Sequence, residues 1–589
     1  MKKLLFSLLL LIVAVVPVTA KNRSLSEMQA IAAAKLNSQQ NVKGFQGLAV
    51  NVDEIQCVSD EAAYGVFAPA DGQGFVIVAK SDLVEPVWGY SAQPFPIADM
   101  PGGLRWFLKE MSSEAEKAEK KGALLSSRRA AAAYSPVDNF ITTVWNQNSP
   151  YNDLAPKNYP CGCVATALAQ CINYCQYPSK VDFRGYYWYQ PSSSSTKLTL
   201  DSLDIKSLYF YPFLNSYGRA TDAQKKAVAK LLRDCGYATY MQYMPDGSGT
   251  VTQYCGFALT QSFNYPEECV KTLGKDYYDG EQFNEIIYEE MQRRSPVIMG
   301  AHDDEGGHAF VLCGLDANGL VYVNWGWAGD GDGFYDLTLM NPDGDEPEFV
   351  QSPTIVYGIR STPLPEDHIV TRINANTNPD TNAPGSYTFH FGTEEDDEGV
   401  SHPTLFINIP YGFENMNGSN FSGNFGIFGQ DLTDGSTWVI APELQDPEEI
   451  PAGNGWYSDD PDFYFYYFVD GEGGLKPGHT YRLSFGACDP REGVWHSVLC
   501  VGGERAYDVT YTGDVTTSTV NSTPQPVPLV DAISAPTFAL QADAGTTRVY
   551  DIQGRMVYSA PTVSFNLWDI PARGILVVKQ GDKVKKVVR

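Results

Sequence analysis

Apolar residues with helical spacing follow Cys163. They occupy Val164, Ala167, Leu168, Cys171, Ile172 and Cys175. Steps of three and four residues bring such positions to one side of a helix, so the pattern predicts an amphipathic helix with one buried face. Pro160 and Gly162 end the preceding segment, which places Cys163 at or near the helix start. Unpaired backbone N–H groups and the positive end of the helix dipole lie there, and both are expected to favour the nucleophilic thiolate of Cys163 over the thiol.

Strand patterns surround a histidine far along the chain. Residues 296–301 predict a strand that leads toward His308, and a second apolar run continues from His308 to a turn signal at residues 316–319. The next run returns from that turn, so the predicted hairpin brings Asn324 within a few residues of His308. His302 is a rival for the same role, but it ends its strand and precedes an acidic run, so His308 is favoured.

The order Cys, His, Asn is typical of papain-like cysteine proteases, in which the His follows the Cys by roughly 130–150 residues. There the imidazole takes the thiol proton, the thiolate attacks the peptide carbonyl, and the side-chain amide orients the ring. Gln147 precedes Cys163 and is a candidate oxyanion donor together with the Cys163 backbone N–H. The alternative for Gln147 is a plain surface residue before a proline turn.

Two sets of side chains could in principle bind a metal ion. The first set is Asp330, Asp332 and Asp336. It lacks the bidentate Glu of a calcium loop, so a solvated turn is favoured. The second set is Cys161, Cys163, Cys171 and Cys175. Its spacing matches no zinc module, and no metal or cofactor is expected.

The remaining cysteines bear on the redox state of the protein. The chain has 11 cysteines, an odd number, and most are interpreted as small apolar core residues. Cys488 and Cys500 are the favoured pair for a disulfide, with two unlinked thiols as an equally weighted alternative.

Length and charge limit the classes of function. The chain has 589 residues and a formal net charge of −28. The length predicts three or four domains. The acidity argues against nucleic acid and against an anionic membrane surface as partners. Residues 1–20 combine a basic start, a short apolar core and a small-residue exit, which predicts a secretory signal peptide cut after Ala20, with a membrane anchor as the alternative.

The region before the candidate site predicts a separate α+β domain. Residues 21–133 contain a helix pattern at residues 25–38, several strand patterns and a second helix that begins near Gly103, without a catalytic constellation. Residues 126–133 are small and polar and read as an exposed linker. The simplest interpretation is a propeptide at residues 21–133, joined to an enzyme domain at residues 134–362.

The region after the candidate site predicts β-structure. Residues 366–515 alternate short strands with Asn, Gly and Asp turns, which indicates a β-sandwich of immunoglobulin-like type. Residues 516–528 are rich in Ser, Thr and Pro and read as a linker. Residues 530–589 form a final set of strand patterns split by turns.

Several motifs together resemble the streptopain family of secreted bacterial cysteine proteases. They are Cys-Val-Ala-Thr-Ala from Cys163, Gly-Gly-His-Ala-Phe-Val around His308, Val-Asn-Trp-Gly-Trp around Asn324, and Gly-Ser-Gly-Thr around Ser248. The resemblance spans residues 21–362. It implies a zymogen in which the propeptide blocks the cleft and displaces the His, with self-cleavage on activation. Cys161 departs from the family pattern, since no thiol is expected there.

The resemblance also implies a role for each matching residue. Cys163 is the nucleophile, His308 the base and Gln147 the oxyanion partner. Asn324 and Trp325 support His308. The substrate cleft is lined by Ser248 and Gly307.

The last residues resemble a different kind of module. Residues 530–589, with an Arg-Gly-Ile-Leu-Val strand and a Lys-Val-Val ending, resemble the C-terminal sorting domain of the type IX secretion system. The resemblance implies that the secretion machinery is a partner and that the protein is extracellular or displayed on the outer-membrane surface. The alternative is a small β-domain that only packs.

The predicted fold class is α+β: a papain-like cysteine protease domain with an α+β propeptide, followed by an all-β immunoglobulin-like sandwich and a small β sorting domain. The predicted function is a secreted cysteine endopeptidase, made as a self-activating zymogen, that acts on protein or peptide substrates and is inhibited by its own propeptide. Three alternatives stay open: an inactive relative, an adhesin that works through the sandwich, and acyl transfer to an amine in place of water.

Overall fold

The structure is a computed structural model, and its two compact units are described separately. The first unit comprises Met1–Thr252 and Gly280–Pro353, and the second comprises Gln253–Asp279 and Thr354–Arg589. The described residues are 21–39, 42, 44–47, 49–122, 135–178, 180–181, 186–189, 196–199, 203–204, 220–277, 280–303, 306–337, 353–376, 385–396, 398–415, 417–440, 448–452, 455–457, 464–470, 474–527, 546–551, 556–561, 575–580 and 583–588. The predicted signal peptide at residues 1–20 and the predicted linker at residues 126–133 lie outside them.

The helices predicted at residues 25–38, from near Gly103 and from Cys163 are present. The helices of the structure are α1 (Leu25–Ser38), α2 (Gly102–Lys121), α3 (Cys163–Cys175), α4 (Asp222–Ala238), α5 (Tyr254–Phe257) and α6 (Gly280–Gln292). Ser24 and Thr221 cap α1 and α4, each through a capping box that satisfies free backbone N–H groups of the first turn. The prediction that a helix begins at or near Cys163 is confirmed.

The strands make up most of the remaining regular structure. In the N-terminal half they are β1 (Ile55–Asp60), β2 (Tyr64–Pro69), β3 (Phe75–Ala79), β4 (Val87–Ser91), β5 (Lys180–Val181), β6 (Tyr186–Tyr189), β7 (Thr196–Thr199), β8 (Leu203–Asp204), β9 (Lys271–Gly274), β10 (Val297–Asp303), β11 (Gly306–Leu315), β12 (Val321–Asn324), β13 (Gly333–Tyr335) and β14 (Thr354–Tyr357). In the C-terminal half they are β15 (Ile373–Ala375), β16 (Thr388–Glu395), β17 (Ser401–Asn408), β18 (Gly412–Asn415), β19 (Phe421–Asp431), β20 (Thr437–Ile440), β21 (Glu448–Ile450), β22 (Gly455–Tyr457), β23 (Tyr464–Phe468), β24 (His479–Cys488), β25 (His496–Ser497), β26 (Tyr507–Tyr511), β27 (Thr519–Val520), β28 (Thr546–Asp551), β29 (Met556–Pro561), β30 (Ile575–Gln580) and β31 (Lys583–Val588).

Strands of the first unit form an antiparallel sheet in the order β1-β2-β3-β4-β13-β12-β11-β10. The strands of residues 55–91 therefore continue into the strands that carry His308 and Asn324. They meet where β4 pairs with β13, with Phe334 opposite Tyr90. The predicted hairpin is confirmed, because Asn324 of β12 lies opposite Val311 of β11, close to His308.

Helix α3 is more deeply buried than its pattern predicts. Its apolar positions are buried as expected, but the polar Thr166 and Gln170 are buried as well. Cys175, expected on the buried face, is partly exposed. The reason is that α3 packs against both α4 and β11, so neighbours cover two sides of the helix where the pattern suggested one.

Antiparallel β-structure dominates the second unit. Its sheets have the orders β15-β18-β22, β16-β17-β23 and β20-β19-β24-β26-β27, and they share a core that includes Tyr387, Leu405, Phe425 and Leu483. The α+β class of the chain and the β-rich character of its C-terminal region are confirmed. The immunoglobulin-like type and the predicted domain boundaries remain predictions.

Two expectations for the second unit are wrong. The segment 516–528, predicted as a linker, contributes β27, which pairs with β26, and Gln525 bridges to Ala506. Its Ser/Thr/Pro composition is a local signal, whereas the pairing depends on a strand elsewhere in the sheet. Cys488 and Cys500 are free thiols that donate to the Asp489 and Val498 carbonyl groups, so the favoured disulfide is not formed.

The last described strands form a separate antiparallel sheet in the order β29-β28-β30-β31. This agrees with the strand patterns of residues 530–589. Among the described residues, no helix combines the length and the apolar character needed to cross a bilayer.

Candidate active site

Cys163 begins α3, and the backbone before it requires glycine. Gly162 is the N-cap and has a φ of 87°. A Cβ at Gly162 would lie 2.6 Å from Met241 Cε and 3.1 Å from the Ser248 carbonyl oxygen. The left-handed backbone and the lack of space both disfavour any side chain. This tight turn delivers Cys163 to the helix N-terminus.

Opposing influences act on the pKa of the Cys163 thiol, and its direction is upward. Burial raises the pKa of the thiol, and hydrogen bonds from the backbone N–H groups of Ala309, Val164 and Cys163 itself lower it by less. The expected preference for the thiolate is therefore wrong for the chain with its N-terminal region in place. The N–H groups act in the predicted direction, but the loss of hydration disfavours the anion more strongly.

His308 lies on β11, beside the Cys163 helix. The next residue, Ala309, supplies one of the N–H groups that act on the Cys163 thiol. The backbone next to His308 therefore lies close to the thiol in space. The His308 ring contacts Gly102, the first residue of α2. A Cβ at Gly102 would fall 2.0 Å from the ring Cε1 and 2.6 Å from each ring nitrogen.

Helix α2 covers the same side of the site with apolar contacts. A Cβ at Gly103 would lie 2.7 Å from the Trp325 ring, and the Phe107 ring lies 6.5 Å from the Trp325 ring. Trp106 packs against Phe310, with ring centroids 6.2 Å apart. Residues of α2 therefore occupy the face of β11 and β12 that carries His308.

Asn324 lies near His308 in the sheet, but its side chain binds other groups. Its Nδ2 donates to the Thr143 carbonyl oxygen at 2.7 Å and to Gln170 Oε1 at 3.3 Å. Its Oδ1 accepts from Gln170 Nε2 and from the Gly326 N–H, each at 3.0 Å. Within the described part of the chain, no hydrogen bond links Asn324 to His308.

Gln147 and Ser248 both anchor the loop that leads to Cys163. The Gln147 carbonyl oxygen accepts the Cys161 N–H at 3.0 Å. Its side-chain amide makes no hydrogen bond to a described residue. Ser248 Oγ donates to the Pro160 carbonyl oxygen at 2.6 Å. The structure thus brings both predicted residues to the nucleophile loop.

Gly307 precedes His308 on β11. It lies opposite His302 of β10, while Ala301 lies opposite His308. Gly307 is exposed, which suits a residue at the surface of a cleft. The predicted roles of these residues remain predictions.

The loop after Asn324 differs from its prediction. Asp332 and Asp336 are buried, so the expected solvated turn is wrong for both, whereas Asp330 is exposed. Asp332 Oδ1 accepts the Trp325 N–H at 2.8 Å. Burial raises the pKa of Asp332 to about 7. The Trp325 indole N–H donates to the Gly331 carbonyl oxygen at 3.0 Å, so this loop holds Trp325 at both its backbone and its ring.

Cys161, the departure from the family pattern, is a packed core thiol. Its sulfur lies 3.8 Å from the Asn146 carbonyl oxygen and 3.5 Å from Thr166 Oγ1. Burial raises the pKa of Cys161 to about 12, which keeps it protonated. It is therefore poorly placed to compete with Cys163 in thiolate chemistry.

A buried ion pair joins the N-terminal region to the His308 hairpin. Lys35 Nζ of α1 lies 2.7 Å from Asp316 Oδ2, with side chains only 7% and 2% exposed. Tyr90 donates to the same carboxylate at 3.0 Å, and Lys35 lies 4.2 Å from the centre of the Tyr90 ring. Asp316 Oδ1 accepts the Asn318 and Leu320 N–H groups of its own turn. One carboxylate therefore closes the hairpin and anchors α1.

Sequence reasoning missed Gly102 and Gln170. Gly102 carried no signal, because its contact with His308 joins distant parts of the chain. Gln170 could have been found from the sequence. It is a polar residue two helical turns after Cys163, next to apolar positions that the pattern assigned to the core. A buried amide at that place requires hydrogen-bond partners.

Comparison with known families assigns two stretches of the chain. The sequence model of the Peptidase C10 family matches residues 145–335, and that of the Spi protease inhibitor matches residues 22–115. The chain is 28% identical over 302 residues to the thiol protease/hemagglutinin PrtT of Porphyromonas gingivalis, covering 48% of this chain and 35% of PrtT. It is 28% identical over 291 residues to streptopain of Streptococcus pyogenes, covering 46% of this chain and 72% of streptopain.

Solved structures include similar chains from Prevotella intermedia. A prointerpain A fragment is 31% identical, and the match covers 52% of this chain and 99% of that fragment with a TM-score of 0.47. The active wild-type interpain A cysteine protease is 33% identical, and the match covers 40% of this chain and 100% of that structure with a TM-score of 0.35.

The two family matches fall on the two sides of the contact between Gly102 and His308. The inhibitor match contains α1 and most of α2, and the peptidase match contains Cys163, His308 and Asn324. The chain therefore belongs to the Peptidase C10, or streptopain, family of cysteine peptidases, with a papain-like α+β peptidase domain that follows a Spi inhibitor domain.

Proposed function

We propose that this chain is the precursor of a secreted cysteine endopeptidase with Cys163 as nucleophile and His308 as acid and base. His308 takes the thiol proton, and the thiolate adds to the peptide carbonyl carbon. The C–N bond breaks as His308 returns the proton to the leaving amine. Water then adds to the thioester with His308 as base, which releases the acid and regenerates the thiol.

The other site residues support this reaction. Gln147 and the Cys163 backbone N–H donate to the oxyanion of the tetrahedral intermediate. Trp325 packs beside the His308 strand, and Asn324 lies at the end of the neighbouring strand. The substrate cleft is lined by Ser248 and Gly307.

One observation carries the proposal. Cys163 lies at the N-terminus of a buried helix, and the N–H of Ala309, the residue after His308, acts on its thiol. This places the nucleophile and the base on adjoining elements, as the reaction requires. The region that contains both is the one that matches the peptidase family.

The same chain supplies the inhibitor. Residues 22–115 match a protease inhibitor, and Gly102 of this region contacts the His308 ring. In the precursor this contact holds the ring in place beside α2. Cleavage between α2 and the peptidase domain, in the predicted linker at residues 126–133, begins activation.

A self-processing experiment tests the proposal. The chain from Lys21 and its Cys163→Ala variant are incubated under reducing conditions, and intact mass is followed over time. Loss of about the first hundred residues in the wild type alone supports a nucleophilic Cys163 and an inhibitory N-terminal domain. If neither chain changes, and a trace of active protease releases no casein-cleaving activity, the proposal is wrong.

Export is a second part of the proposal. Residues 1–20 direct secretion, and residues 530–589 pass the protein to type IX secretion machinery, which places it outside the cell or on the outer-membrane surface. A reporter that carries both segments is expressed in a bacterium with this system. Accumulation of the reporter in the periplasm, in place of the medium or cell surface, would contradict this route.

A further inference from the structure

The amide side chains of Gln170 and Asn324 form a reciprocal buried pair behind the candidate site. Gln170 Nε2 donates to Asn324 Oδ1 at 3.0 Å, and Asn324 Nδ2 donates back to Gln170 Oε1 at 3.3 Å. Gln170 is 0% exposed and Asn324 is 1% exposed. Each amide therefore depends on protein partners, because water does not reach either one.

The hydrogen-bonding capacity of Asn324 is filled. A side-chain amide has two N–H donors and two acceptor positions on its oxygen. Both donors are used, by the Thr143 carbonyl oxygen and by Gln170 Oε1. Both acceptor positions are used, by Gln170 Nε2 and by the Gly326 N–H. To bind the His308 ring, Asn324 would have to give up one of these buried bonds.

Gln170 extends the pair to the segment that carries Gln147. Its Oε1 also accepts from Thr143 Oγ1 at 2.8 Å and from the Trp145 N–H at 3.3 Å. The segment 143–147 is thus held at Thr143 and Trp145 by the amide pair. Its far end is tied to the loop before Cys163, since the Gln147 carbonyl oxygen accepts the Cys161 N–H.

We propose that Gln170, with Asn324 as its partner, is a positioning residue that fixes the distance between the oxyanion donor Gln147 and the nucleophile Cys163. Gln170 lies two turns after Cys163, about 10 Å along the same rigid helix. The inference rests on the proposed peptidase function. It assigns Asn324 to the placement of segment 143–147 and not to the orientation of His308.

This role predicts a specific kinetic defect. A donor that moves away from the developing oxyanion slows acylation, since a displacement of about 1 Å can lower the rate about 10²-fold. Reaction of the thiol with iodoacetamide is a displacement at carbon without an oxyanion. It reports the thiol–imidazole pair alone, so the two reactions separate a shifted Gln147 from a misplaced His308.

The experiment uses the full chain from Lys21, processed by wild-type enzyme on beads that are removed before assay. Gln170→Ala, Asn324→Ala and the double variant are compared with wild type after titration of active sites. Each single variant is expected to lose about 10²-fold in kcat, with KM and the pH profile of Cys163 alkylation unchanged. The double variant is expected to be no slower than the slower single variant, since both remove one unit.

Two controls keep the result interpretable. Gln176→Ala removes a glutamine at the end of the same helix, whose amide binds Asn173 alone among the described residues, and it is expected to retain wild-type kcat. Gln170→Met keeps the length of the side chain but removes both the acceptor oxygen that holds segment 143–147 and the donor to Asn324. It is the variant used if Gln170→Ala does not fold.

Three outcomes overturn the positioning role. One is wild-type kcat in Gln170→Ala or Gln170→Met. The second is a shifted alkylation pH profile in Asn324→Ala alone, which would show that Asn324 orients His308. The third is additive losses in the double variant. A wild-type chain without peptidase activity would overturn the proposed function, and the positioning role with it.

Discussion

Cys163 and His308 lie on adjoining elements, yet different parts of the chain hold them. The surroundings of Cys163 come from the peptidase domain: Gly162 fits against Met241 and Ser248, and Gln170 ties the helix to segment 143–147. The His308 ring contacts Gly102 of the inhibitor region. The contacts at Gly162 and Gln170 therefore lie within the peptidase domain, whereas the imidazole has a contact with the inhibitor region.

This difference suggests where inhibition acts. The contact of the inhibitor region at Gly102 is with the His308 ring, whereas the nucleophile loop at Gly162 packs against Met241 and Ser248. Changes in the inhibitor contacts should alter the rate of activation, and changes around Gly162 should alter turnover. Four substitutions test that separation.

The largest effect is expected from Lys35→Met, on the inhibitor side. The change leaves Asp316 buried without its cation, and loss of one partner of a buried ion pair typically costs about 3–5 kcal/mol, or roughly 10²–10⁴-fold in docking of the inhibitor region. Self-processing of the full chain should accelerate, while kcat of the processed enzyme stays at the wild-type value. Intact mass followed over time measures the rate of self-processing, and a peptide cleavage assay measures kcat.

The matched control for this change is Lys80→Met. Lys80 pairs with Asp60 at 2.8 Å in the same region, but that carboxylate is exposed, and exposed pairs contribute at most about 1 kcal/mol. If Lys35→Met processes no faster than Lys80→Met, the buried pair does not hold the inhibitor region in place.

Gly162→Ala tests the nucleophile side. A Cβ there meets Met241 and the Ser248 carbonyl in a left-handed backbone, and such strain costs about 1–3 kcal/mol. We expect a lower melting temperature and a lower kcat, because the turn that presents Cys163 must open. Gly249→Ala is the control, since nothing lies within 4 Å of a Cβ at that neighbouring glycine. An unchanged kcat in Gly162→Ala would argue that the turn does not set the position of the thiol.

Gly102→Ala tests the histidine side directly. The added Cβ would fall 2.0 Å from His308 Cε1, and overpacking of this kind costs about 1–3 kcal/mol. Because alanine favours helices over glycine, part of this cost is offset, and we expect about tenfold faster self-processing without a change in kcat. Glu119→Ala, exposed on the same helix, controls for helix propensity. Slower processing than wild type would mean that the contact does not restrain His308.

The smallest effect is expected from Asp332→Asn. Asp332 accepts the N–H of Trp325, whose ring packs near Phe107 of the inhibitor-side helix α2. Burial raises the pKa of Asp332 from 3.8 to about 7, so between these values the folded chain binds more protons than the unfolded chain. Stability therefore falls as pH rises through this window and levels off above about 7. Asparagine keeps an oxygen for the Trp325 N–H but cannot ionise. Its melting temperature should exceed that of wild type by a few degrees at pH 8 and match it near pH 4.

Asp330→Asn is the control for this change, because Asp330 lies in the same loop but is exposed. Differential scanning calorimetry at both pH values provides the comparison. Equal melting temperatures for Asp332→Asn and wild type at pH 8 would show that the pKa of the Asp332 carboxyl group is not raised by burial.

Local patterns predicted the elements of the site well. The start of α3 at Cys163 followed from apolar spacing after a Pro and a Gly. The pairing of β11 with β12 followed from strand patterns on both sides of the Asp316 turn, whose carboxylate accepts two N–H groups of the turn. In both cases the information lies within a few residues of the feature.

Contacts between distant residues could not be predicted in the same way. Asn324 was assigned to His308 because the hairpin brings them close, but a sequence does not reveal that Gln170 offers a competing amide from another element. Burial of Asp332 and the contact of Gly102 with His308 also depend on how separate elements pack. The thiolate prediction failed for this reason, since the dipole effect is local and desolvation is not.

The pairing of β4 with β13 gives the inhibitor region a further property. Because Phe334 lies opposite Tyr90 in a continuous sheet, a cut in the connecting chain leaves the backbone hydrogen bonds of that seam intact. Cleavage of the linker and dissociation of the inhibitor region are thus separate events. A cleaved complex in which the peptidase is still inhibited is the expected first product. Dissociation of the inhibitor region then leaves β13 as an exposed edge strand of the sheet. This strand is only three residues long, which leaves little backbone for another chain to pair with.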